Sequence, residues 1–112
     1  MTQPELADLI DRGFQRSEVI ETLIAFIFKL QDPDHGPKYK CCLLGAGLAE
    51  LHGPEIAWNM WLNSQPIDFI ALSAEQLGIT LKLARDIAYD HQALRNARQA
   101  ILAKLRAGQY TE

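Results

Sequence analysis

Cysteine is scarce in this chain. There are two, Cys41 and Cys42, and they are adjacent. A bridge between chain neighbours closes a small, strained ring, so no disulfide framework is expected and a reducing cytoplasm is the default location. Long apolar runs are missing as well. The longest, Leu23 to Phe28, falls far short of the ~20 residues that a membrane span needs. The first residues show no basic-then-apolar signal pattern, and no membrane association is expected. A positive surplus is absent: the net charge is −3, which argues against a general polyanion binder. No glycine-rich phosphate loop follows a strand signal, and no serine-centred nucleophile motif is present.

What is there reads as a globular chain. Apolar residues make up 48% of 112, enough for one real core and too many for disorder. The expectation is a single all-α domain over residues 1–112, a bundle of about six short helices. Thr2, Pro4 and Glu5 form a helix start with a capping box. Leu6, Leu9 and Ile10 line one face, and Gly13 reads as the stop. Ser17 caps a second helix, Glu18 to Leu30, whose Val19, Ile20, Leu23, Ile24, Phe26, Ile27 and Leu30 cover well over half its circumference. A helix apolar that far round is the expected centre of the bundle. A buried strand competes over Leu23–Phe28, since Ile and Phe favour strands. Glu18, Glu21 and Lys29 at helical spacing favour helix.

Gln31 to Lys40, with two prolines and a glycine, reads as a loop. Cys41 to Leu51 reads as a third helix. Its Gly45 and Gly47 each cost roughly 1 kcal/mol against alanine, and that cost implies a neighbour approaching closely. Pro54 opens a fourth helix, Pro66 to Leu77 forms a fifth, and Thr80 caps a sixth with Leu83, Ala84 and Ile87 inward. Asp90 to Asn96 reads as a turn or kink. A last helix carries Ile101, Leu102 and Leu105 and stops at Gly108.

Two resemblances follow from particular residues. Ile70 to Ile87 resembles a helix-turn-helix, with Ala74, Gly78, Ile79 and Ile87 at the small-residue, turn and core positions. Cys42-Leu43-Leu44-Gly45-Ala46, Leu77-Gly78-Ile79 and Tyr89-Asp90 resemble a loose group of small helical bacterial and phage-type proteins over roughly residues 40 to 106. That group has a Cys-x-Leu-Gly-Ala helix and usually an Asn-Asp pair where Tyr89-Asp90 stands. It has no assigned activity, so the resemblance implies a helical fold and no functional residue.

The candidate chemistry is sparse. Cys41, Cys42, His35 and His52 are the only conceivable soft-metal set, but adjacent helical cysteines diverge, so no metal site and no cofactor are expected. The paired carboxylates, Asp8 and Asp11, Glu18 and Glu21, Asp86 and Asp90, read as solvated helix faces. Trp58, Met60 and Trp61 crowd one short helix, and residues of this kind anchor protein interfaces. Thr80, Lys82, Arg85, Arg95 and Arg98 would be the DNA-facing set of the helix-turn-helix, although Leu81 and Asp86 suit DNA poorly. The expected function is a non-enzymatic regulator or inhibitor that binds a protein partner through Trp58, Met60 and Trp61. DNA binding through residues 70–89 is the alternative. A homodimer is compatible with either.

Overall fold

Thr2 starts the first helix as its pattern requires. Its hydroxyl accepts from the Glu5 N–H, and the Glu5 carboxylate accepts from the Thr2 N–H at 3.1 Å. The computed structural model describes residues 1–23, 27–64 and 67–112. Among them, helices α1 (Gln3–Gln15), α2 (Leu43–His52), α3 (Pro54–Asn63), α4 (Phe69–Leu77), α5 (Leu81–Ala93) and α6 (Ala97–Arg106) accompany three strands, β1 (Val19–Glu21), β2 (Ile27–Asp32) and β3 (Gly36–Cys41). The fold is therefore α+β, and the all-α expectation is wrong.

The error lies between Glu18 and Lys40. The expected central helix is replaced by β1 and β2, and the expected loop by a hairpin turn and β3. Val19, Ile20 and Ile27 are β-branched, and branching at Cβ stiffens χ1 in a helix while suiting a pleated surface. The loop residues specify a tight reversal. The Asp32 carboxylate accepts from the N–H groups of Asp34 at 2.9 Å and His35 at 3.2 Å, and Gly36 supplies φ 81°. Pro37 is tolerated in β3 because it lies opposite Gln31 of β2, beyond the stretch that pairs with β1. Ile24, Phe26 and Pro66, assigned to helices from the sequence, lie outside the described residues.

The sheet has the order β1-β3-β2, with β1 parallel and β2 antiparallel to the central β3. Val19, Ile27, Tyr39 and Cys41 are buried on one face. On the other, Ile20, Lys40 and Phe28 stand side by side across the three strands.

The helix at the centre is α2. Every residue from Leu43 to Ala49 is buried, which is the all-round apolar pattern of a core helix. The close approach inferred from its glycines exists, but it turns on Gly13. A Cβ built on Gly13 would sit 2.2 Å from the carbonyl oxygen of Ala46. Gly13 is thus inside α1, which runs to Gln15, and lets the two backbones touch. Gly45 is also tight, 3.1 Å from Ile27 Cγ1, whereas Gly47 has ordinary contacts at 3.5 Å with Ile10 and Leu77. Across the same crossing Arg16 Nε meets Glu50 at 2.9 Å. The side-chain amide of Gln3 is buried and exchanges two hydrogen bonds with the Tyr110 backbone, at 2.8 and 3.0 Å.

Candidate functional site

The helix that carries Trp58, Met60 and Trp61 is α3. Pro54 opens it, and Ala57 is its fully buried position. Glu55 anchors it to the sheet, accepting from the Tyr39 hydroxyl and pairing with Lys29 at 3.0 Å. Both contacts hold the Glu55 carboxyl below its usual range, the tyrosine bond most. Trp61 packs edge-on against Phe69 with ring centres 5.4 Å apart, and Trp58 edge-on against Phe28 at 6.4 Å. Neither tryptophan is bare: both are half-buried. The open apolar groups are instead their neighbours: Ile56 is 57% exposed, Leu62 51% and Phe28 45%. Leu62 lies one helical turn beyond Trp58 on the same face. Leu62, Trp58 and Phe28 therefore form a ridge from α3 onto the open face of the sheet, and the cross-strand row extends it to Lys40 and Ile20.

The helix-turn-helix residues fold as a helical hairpin. Asp68 caps α4, Gly78 adopts the left-handed conformation, and Thr80 caps α5 by accepting from the Leu83 N–H at 3.1 Å. Ala74, Leu83, Ala84 and Ile87 are buried, as expected, and so is Leu77, whereas Ile79 is only half-buried. Ser73 is buried too, and among the described residues its hydroxyl has no hydrogen-bond partner. The cationic set is divided. Lys82 pairs with Asp86 at 2.8 Å. Arg98 pairs with Glu21 at 3.4 Å and stacks over the Phe14 ring. Arg85 and Arg95 are exposed.

The four possible metal ligands are not brought together. Cys41 ends β3, Cys42 caps α2 with its sulfur accepting from the Gly45 N–H at 3.4 Å, His52 ends α2, and His35 sits on the hairpin turn beside Asp32. Among the described residues no group of three or more His, Cys, Asp or Glu is placed to hold a metal ion. Burial pushes the Cys41 thiol up to about 12 and the Cys42 thiol up to about 11. Such thiols are protonated and poor nucleophiles at neutral pH.

These shifts have a consequence for stability. Well below pH 9 the thiols are neutral in both states. As pH rises past their ordinary value of 9.0, the unfolded chain ionises them and the folded chain does not, so stability is lost with rising pH. Urea midpoints measured from about pH 8 to pH 10 should fall for the wild type, and the fall should flatten when both cysteines become serine. Equal slopes would show that the buried thiols do not carry the effect.

One polar cluster escaped the sequence. His91 is 2% exposed, and its Nε2 lies 2.8 Å from Glu21 Oε2. Glu21 also meets Arg98, so β1, α5 and α6 join through one carboxylate. Glu21 is then no mere solvated charge; nor is Asp90, which accepts from the Tyr110 hydroxyl at 2.7 Å. His91 continues the inward stripe Ala84, Ile87 at helical spacing. That periodicity was readable, but α5 extends to Ala93, through the expected turn.

No protein-family model matches the chain, and neither curated proteins nor solved structures contain a match. No helix among the described residues is long and apolar enough to cross a membrane.

Proposed function

We propose that this protein is a non-enzymatic interaction module that binds a protein partner through the ridge of Leu62, Trp58 and Phe28. The observation that carries this reading is the contact between Phe28 and Trp58, with Phe28 and Leu62 about half open to solvent beside it. Single exposed apolar residues are ordinary on a protein surface, whereas aligned ones mark interaction sites. Trp58 is the anchor, buried enough to be rigid and open enough to be covered. Met60 and the exposed Ile56 lie two residues to either side of it, on another face of α3. Trp61, tied to Phe69, supports α3 from the core side.

Lys40, between Ile20 and Phe28, favours a partner with a carboxylate near its apolar contact. DNA binding through Thr80, Lys82, Arg85, Arg95 and Arg98 has less support, because Lys82 and Arg98 already hold carboxylates.

Phe28→Glu and Leu62→Glu change exposed positions and should leave the helical circular dichroism intact. Each should weaken complex formation by about 2 kcal/mol or more, the scale of an interface hot spot, in quantitative affinity capture from source cells. Undiminished capture of the same partners by both variants, or tight salt-sensitive binding to mixed duplex DNA lost in Arg85→Ala, would refute the reading.

A further inference from the structure

We infer that the cleft between β1, the end of α5 and the start of α6 binds a small zwitterion, an aliphatic α-amino acid. The cleft is open to solvent and has a volume of about 440 Å³, within the size range of small-molecule sites. It lies at the β1 edge of the sheet, away from the α3 ridge, and goes beyond the docking role.

Its polar wall carries two formal charges of opposite sign. The Glu21 carboxylate and the Arg98 guanidinium stand 3.4 Å apart, with about a third of each side chain open to water. Behind them His91 is buried with Nε2 2.8 Å from Glu21 Oε2. The lips are apolar: Leu23 is 57% exposed and Leu94 48%.

Charge complementarity selects the ligand. The two charges cancel, so the wall offers no net attraction to a simple anion or a simple cation. A molecule with both charges on one carbon satisfies both members. Its ammonium donates to Glu21. Its carboxylate takes the Arg98 fork, for which guanidinium geometry is suited. The first turn of α6, which has no side-chain cap, offers further N–H donors to that carboxylate. An aliphatic side chain covers Leu23 and Leu94. A surface ion pair is weak, so re-pairing Glu21 and Arg98 with the ligand sacrifices little.

The test is an amide-resonance titration of the full chain with L-leucine, 3-methylbutylamine and 4-methylpentanoate. L-Leucine should shift the Glu21, His91 and Arg98 resonances saturably, with half-saturation below about 1 mM. The amine lacks the carboxylate and the acid lacks the ammonium, and each should bind at least tenfold more weakly. Arg98→Gln should weaken leucine binding at least tenfold in a folded protein, and Leu94→Ala should weaken it less. No saturable shift with leucine to about 10 mM, equal binding of either one-charge analogue, or full affinity in Arg98→Gln would overturn the proposal and leave the cluster as a structural tie.

Discussion

Gly13→Ala should be among the most destabilising single substitutions in this protein. The added methyl would lie 2.2 Å from the Ala46 carbonyl oxygen and 2.7 Å from its carbon. Both are backbone atoms in the buried stretch Leu43–Ala49 of α2, so no rotamer change relieves the clash. Alanine's better helix propensity, worth ~1 kcal/mol, acts in the opposite direction and is outweighed. Overpacking costs ~1–3 kcal/mol where side chains can shift and more where they cannot, so a loss of about 3 kcal/mol is expected. Gly47→Ala is the control. Its Cβ would meet Ile10 and Leu77 side chains at 3.5 Å, an ordinary contact, and the variant should match or exceed wild type. Urea unfolding of the two variants decides the matter. Equal midpoints would mean that α1 and α2 are farther apart than described.

The second large effect is expected at Ile27. Its side chain is fully buried, paired in register with Cys41 and packed against Gly45 of α2. Ile27→Ala should cost ~2–5 kcal/mol, the range for a buried aliphatic truncated to alanine. Leu23→Ala should cost under about 0.5 kcal/mol, since Leu23 is exposed. In a single amphipathic helix from Glu18 to Leu30, both residues would have faced the core. The contrast between them therefore tests the sheet itself. A cost above about 2 kcal/mol at both positions would restore the helical assignment.

The parts of the fold that were legible share one property: their signals are local. Thr2 with Glu5, Pro54, Gly78 with Thr80, and the stripe Leu83, Ala84, Ile87 each announce a helix within a few residues. The strands announce themselves poorly because β1 is three residues long and β3 contains Gly36, Pro37 and two lysines. Their identity depends on each other, and pairing across the chain leaves no local mark. Apolar residues at nearly every position from Val19 to Leu30 satisfy either period. The candidate surface was half legible. Trp58 and Trp61 could be named from composition, but Phe28, their most exposed ring neighbour, could not be joined to them before β2 was known to run beside α3. His91 and Glu21 are 70 residues apart, and no spacing rule links them.

The order of the strands also bears on synthesis. β1 and β2 emerge from the ribosome first, yet they make no ladder with each other; both pair only with β3. Until Gly36–Cys41 has been added, the apolar side chains of β1 and β2, Val19, Ile20, Ile27, Phe28 and Leu30, belong to strands with no ladder partner. Both ladders need that one strand. Leu43 to Ala49 follow immediately and cover the buried side. Neither ladder can therefore form before the last-made strand, which lies between the two made earlier, has been added. The nascent chain is most exposed to aggregation just before that addition.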